Sequence, residues 1–141
     1  MRKQHTRWVL AALLALALPA LALGNRVQAK RLQEMQELWA KSIRWGEYDT
    51  ALALVDPQVR GQHSLSDLER TRYQQVEVSG YSEVTSQVDA NGVVARVVEL
   101  RVINRNTMGE RTSRYTEHWR WDDRAKRWWN MDGLPDLWNH S

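Results

Sequence analysis

Tyr73-Gln-Gln-Val-Glu-Val-Ser-Gly-Tyr-Ser-Glu-Val-Thr-Ser-Gln-Val88, then Asp89-Ala-Asn-Gly92, then Val93-Val-Ala-Arg-Val-Val-Glu-Leu-Arg-Val-Ile-Asn104, is the stretch whose reading decides the fold. Its first segment carries Val76, Val78, Val84 and Val88 at even spacing, the two-residue period of a strand with one face packed. Gly80 interrupts that segment and predicts a bulge or bend. Asp89-Ala-Asn-Gly92 is a tight-hairpin signal, because Asn-Gly readily takes the positive φ values such turns require. The second segment is rich in β-branched residues and apolar on both faces in places, as a central strand is.

The same alternation continues downstream. Residues 104–109 form the next turn, residues 111–121 a third strand, residues 122–126 another turn, and residues 127 to about 131 a fourth strand. Upstream the period changes. Between residues 25 and 45, Leu32, Met35, Leu38, Trp39 and Ile43 fall at the three-and-four spacing of one buried helical stripe, with Lys30, Gln33, Glu34, Glu37 and Lys41 opposite. Gly46 fits the helix C-cap. A second short helix, residues 47–55, stops at Asp56-Pro57. A third starts at Ser64 or Ser66, where Ser66-x-x-Glu69 has the form of a capping box. Helices followed by a four-strand antiparallel meander predict an α+β domain, its helices packed on one face of a curved sheet.

The chain's first residues predict where it works. Arg2, Lys3 and Arg7 precede an apolar run over residues 8–18, which Pro19 and Ala20-Leu21-Ala22 follow. A basic segment, a short apolar segment and a small-x-small site make an export signal. Cleavage after Ala22 removes residues 1–22 and leaves one domain, residues 23–141, in the periplasm. The run is shorter than the roughly 20 residues that cross a bilayer comfortably, and Pro19 is expected to end its helix. The alternative is an uncleaved inner-membrane anchor with Trp8 at the interface. The chain has no cysteine, so no lipid anchor at the cut and no disulfide. Lys and Arg number 20 against 17 Asp and Glu. The excess is the three basic residues of the leader, and a nucleic-acid partner loses its compositional argument with them.

Trp39 and Trp45 on the leading helix, Gly46-Glu-Tyr-Asp-Thr-Ala51, the Val55-Asp-Pro57 stop and the long meander together resemble the nuclear transport factor 2-like (ketosteroid isomerase-like, SnoaL-like) superfamily. His118-Trp-Arg-Trp-Asp122, Arg127-Trp-Trp129 and Gly133-Leu-Pro135 are similar to small exported proteobacterial proteins of that fold. The resemblance covers residues 29–138. It implies a cystatin-like cone with a pocket at its open end, and often a homodimer formed through the sheet. It implies no single activity, since the superfamily hosts enzymes, binding modules and assembly domains.

Enzymes of that superfamily place a carboxylate inside the cone, often with Tyr or His. On the third strand Tyr115, Glu117, Trp119 and Trp121 share one side. If aromatic residues mark the inner face, Glu117 points into the cavity as a general base with Tyr115 beside it. Glu99 and Arg101 share a face with Val97 and Ile103, so a Glu99–Arg101–Glu117 cluster is expected at the ligand site. The plainer reading pairs these charges across the sheet or on its wet face.

Eight tryptophans without phenylalanine are the compositional oddity. Trp119, Trp121, Trp128, Trp129 and Trp138 could form a stacking platform for sugars, or fill a small core. Adjacent Trp128 and Trp129 must face opposite ways, so one of them is the better candidate for an exposed contact. His63, His118 and His140 lack metal-ligand spacing, and no stretch points to a cofactor. No nucleophile elbow or phosphate-cradling glycine loop is present. The arginines at 96, 101, 105, 111, 114, 120, 124 and 127 read either as a surface for an anionic ligand or partner, or as the charged outer side of the sheet. Three functions follow: a non-enzymatic periplasmic module binding a small molecule or an envelope protein, an isomerase- or cyclase-like enzyme, or a membrane-anchored assembly factor.

Overall fold

The computed structural model describes residues 7–62 and 64–138, with residues 7–24 described in backbone alone. Residues 1–6 of the leader, His63 and His140 therefore lie outside the described residues.

The first helical stripe forms part of α1 (Arg7–Arg44), which is longer than the residue 25–45 segment expected. Its backbone continues through Pro19 rather than ending there. On its packed face Trp39, Ile43 and Ser42 are fully buried, whereas Leu38 is 37% exposed, so the stripe is narrower than its spacing indicates. The helix ends as Gly46 predicts. At φ +70 this glycine lets Glu47 N–H donate to Ser42 O at 2.8 Å and Gly46 N–H to Ile43 O at 3.3 Å, closing a Schellman motif.

α2 (Tyr48–Leu52) is shorter than expected, and Asp56-Pro57 does not merely stop a helix. It starts α3 (Pro57–Gln62). Proline has no N–H to leave unpaired and its φ is preset for a first helical position, while the Asp56 carboxylate accepts from Gln58 N–H at 2.9 Å. α4 (Asp67–Gln74) carries the expected capping box, and it takes in Tyr73 and Gln74, so the strand expected from Tyr73 begins only at Val76. Glu69 N–H donates to Ser66 Oγ at 3.2 Å, and Ser66 N–H donates back to Glu69 Oε2 at 2.8 Å. Ser66→Ala is expected to lower stability by about 1 kcal/mol, read as a shift in the urea midpoint.

The strands β1 (Val76–Val88), β2 (Val94–Asn104), β3 (Glu110–Asp122) and β4 (Arg127–Asn130) form one open antiparallel sheet in sequence order. Helices followed by this sheet make the chain α+β. The bulge expected at Gly80 is present, the register shifting between Val78 and Gly80. A second shift, between Glu83 and Thr85, was not foreseen. The first shift reverses the parity of the even positions and the second restores it, setting Val88 across from inward-facing Val94. Val76 and Val78 are buried, but Val84, at the second shift, and Val88 are exposed with all of residues 82–88. In the hairpin turn only Gly92 takes positive φ, at +79. Asn91 does not, because Asp89 holds the loop instead, its carboxylate accepting from Asn91 N–H at 2.8 Å and Val93 N–H at 3.0 Å.

One face of the sheet packs on α1. Trp39 and Ile43 meet a core that includes Val98, Leu100, Val102 and Trp119. Trp128 Nε1 donates to Gln28 O at 2.9 Å, tying β4 to the same helix. The outer edge of β4 is not left open. Asn130 N–H donates to Leu54 O at 2.9 Å and Asp56 N–H to Asn130 O at 2.8 Å, a parallel bridge that blunts the edge. Among the described residues no helix is long and apolar enough to cross a membrane; the apolar run at residues 8–18, described only in backbone, stands outside that statement.

Candidate functional site

Strand parity decides which polar side chains enter the interior. On β3, Glu117 and Trp119 face the helices and are fully buried, with Tyr115 and Trp121 half-buried alongside. On β2 the inward set is Val94, Arg96, Val98, Leu100 and Val102. Arg96 lies directly across from Glu117 in the β2–β3 register. The two form a bidentate pair, Arg96 Nε to Glu117 Oε2 at 2.6 Å and Nη2 to Oε1 at 3.0 Å. The Tyr81 hydroxyl also donates to Glu117 Oε1, and Trp119 Nε1 donates to Oε2 at 3.2 Å. Trp39 Nε1 closes the network by donating to Tyr81 Oη at 3.0 Å.

This arrangement alters the expected role of Glu117. The carboxylate does lie inside among aromatic rings. It is 0% exposed, however, and it accepts four hydrogen bonds from side chains of the fold itself. No oxygen faces solvent from which it could take a substrate proton. Burial alone would lower the Arg96 guanidinium, but the hydrogen bond and charge of Glu117 hold it above its ordinary value. Tyr115, the second catalytic candidate, instead donates to Gly133 O at 3.2 Å and ties the tail to β3.

The Glu99–Arg101–Glu117 cluster does not form. Glu99 and Arg101 occupy odd positions of β2, which face away from the helices, while Glu117 meets even-numbered Arg96. On that outer side Glu99 pairs with Arg114 at 3.3 Å and Arg101 with Glu110 at 3.9 Å. The tryptophan platform is absent as well. Trp128 joins the core, and Trp129, on the opposite face, is buried beneath the Arg127 guanidinium, 3.7 Å from its ring centroid. Neither is therefore the exposed contact expected of one of them. Trp121 stacks edge-on to Trp128, and Trp138 edge-on to Tyr73. His118 pairs with Asp132 at 3.0 Å, and among the described residues no three His, Cys, Asp or Glu side chains cluster to hold a metal.

Sequence reasoning missed Arg96, Tyr81 and Trp39 as the partners that enclose Glu117. It also missed the surface clefts. One, of about 200 Å³, lies among α2, α3, α4 and the 132–134 loop, with Val55, Val59, Leu65 and Leu134 in its wall. A second, of about 270 Å³, opens beside Trp45 at the end of α1. A third, of about 290 Å³, lies between the 104–110 turn and Leu137 and Trp138. None of the six expected ligand residues, Glu99, Arg101, Tyr115, Glu117, Trp119 and Trp121, lines any of the three. Compared with known proteins, the chain matches no family model and no curated protein.

One buried and two half-buried tyrosines set an alkaline limit on stability. Burial raises the Tyr81 hydroxyl far above its ordinary 10.0, and the Glu117 charge adds to the shift. Burial likewise raises Tyr115 and Tyr73. A group whose folded pKa lies above its unfolded value stabilises fully below the unfolded value, and loses that contribution as pH rises beyond it. Stability is therefore expected to be flat in this respect up to about pH 10 and to fall above it. Phenolate absorbance of these tyrosines should then grow in with the loss of near-ultraviolet circular dichroism. Phenolate formation by all tyrosines before that loss would contradict the burial assignment.

Proposed function

We propose that the protein is an exported binding or interaction domain of the nuclear transport factor 2-like type, a helix-backed cone without catalysis of its own. The observation that carries this reading is the state of Glu117. The one inward carboxylate of the sheet's buried centre is closed by Arg96, Tyr81 and Trp119 and has no exposed surface. A site built for proton transfer needs a carboxylate within reach of a substrate. A carboxylate locked in this way orders a core instead, which leaves the surface clefts as the places where partners or ligands meet the fold. Helices packed on one face of a four-strand antiparallel sheet are consistent with the superfamily reading.

A membrane-anchored assembly factor is favoured by a separate observation. The α1 backbone is helical without interruption from Arg7 to Arg44, across the expected cleavage site at residues 20–22. One experiment separates the two: native mass spectrometry of the chain expressed with its own leader. A periplasmic mass beginning at Leu23, carrying a non-protein adduct, supports the exported binding domain. A mass retaining Met1, recovered from membranes, supports the anchored factor instead.

A further inference from the structure

Among the described residues Trp45 is the tryptophan left most open to solvent, at 72% exposed, and nothing in the fold accounts for it. It stands at the rim of the 270 Å³ cleft formed where the end of α1 meets α2, the end of α4 and the start of β1. Behind it lie Ile43, Val76, Val78 and Tyr73, which are buried and expose little to the cleft, and the half-buried Tyr48 ring contacts that of Tyr73 at 4.4 Å between centroids. The charged groups lining it are Arg44, Arg105 and Glu77. Arg105 is anchored through its backbone, its N–H donating to Gln75 O at 2.9 Å, and its Nε reaches Val76 O at 3.5 Å. Neither Arg44 nor Arg105 has an ion-pair partner among the described residues, and the Tyr48 hydroxyl has no hydrogen-bond partner there.

Two guanidiniums without an ion-pair partner among the described residues, the Tyr48 phenol and an exposed indole have a chemical complement. Guanidinium recognises carboxylate through paired N–H donors, and aromatic walls favour an aromatic body. We infer that this cleft binds a small aromatic carboxylate, its ring against Trp45 and Tyr48 and its carboxylate held by Arg105 and Arg44. Glu77 opposes that anion from the same cleft. The inference rests on the binding reading above and names a ligand class for it.

The probe is 3-phenylpropanoate, titrated calorimetrically into the full chain. The controls are 3-phenylpropanol, which keeps the ring without the charge, and acetate, which keeps the charge without the ring. Saturable binding of the carboxylate alone is expected. Arg105→Gln should weaken it about tenfold or more. Glu77→Gln should tighten it, a gain that damage to the fold cannot mimic, and Arg124→Gln in the remote 122–126 turn should leave it unchanged. Equal binding of the alcohol, wild-type affinity in both Arg105→Gln and Glu77→Gln, or no saturable binding of the carboxylate would each overturn the inference. The two readings fail separately. If the exported protein carries a native adduct but ignores 3-phenylpropanoate, the ligand class is wrong and the binding reading stands. If it carries none and binds no probe, both fall.

Discussion

Arg96→Met is expected to lower the free energy of unfolding by about 3–5 kcal/mol, because it strands a buried carboxylate. Glu117 has no exposed surface, and Arg96 supplies two of its four hydrogen bonds together with the only opposite charge bonded to it among the described residues. Tyr81 and Trp119 would remain as neutral donors, which cannot balance a full charge out of water. Glu117→Gln should destabilise for the mirror-image reason, leaving a guanidinium with a poor acceptor. The double change Arg96→Met with Glu117→Leu should recover most of the loss, since an apolar pair of similar volume escapes the desolvation cost. Urea titrations of the three variants measure this as midpoint shifts at constant slope. Wild-type stability in Glu117→Gln would mean that Glu117 sits in an open, solvated site, and would return it to candidacy as a base.

Trp39→Ala is the second large effect, again about 3–5 kcal/mol. Trp39 is fully buried, packs edge-on against Trp119 at 5.9 Å between centroids, and donates to Tyr81. Truncation opens a cavity between α1 and the sheet and removes one donor from the Glu117 network. A fall in melting temperature of about 10 °C or more should follow for a domain of this size. Trp45→Ala, just past the end of the same helix, makes the contrast. Its ring lies mostly in solvent, and a surface change of that kind stays within about 0.5 kcal/mol. Comparable losses in both variants would mean that the packed face of α1 has been assigned wrongly.

Much of this was legible locally. The capping box at Ser66 and Glu69, the Schellman closure at Gly46, the bulge near Gly80 and the inward parity of Tyr115, Glu117, Trp119 and Trp121 each depend on residues a few positions apart. Asp56-Pro57 was legible too and was read backwards, since the same dipeptide that ends one helix can cap and open the next. The pairing of Arg96 with Glu117 lay half within reach. Extending the closure of Asn104 on Gly109, residue by residue, sets the two opposite each other, but only if the turn is placed to the residue. The sequence pattern grouped Arg96 instead with the surface arginines, because a charged residue in a strand is on the wet face far more often than not.

The sequence by itself therefore determined the order and type of elements, helices then a four-strand meander, because hydrophobic period, caps and turns act over a few residues. The tertiary structure alone decided what the inward charge does. Whether Glu117 meets water, ligand or Arg96 depends on how Tyr81 and Trp39, dozens of residues away, close over it, and on the register shift before Gly80, which sets Tyr81 across from inward-facing Leu100. It also decided that Trp45 and its neighbour Arg44 share one cleft with the distant Arg105, since burial and ion pairing depend on neighbours that only folding brings together.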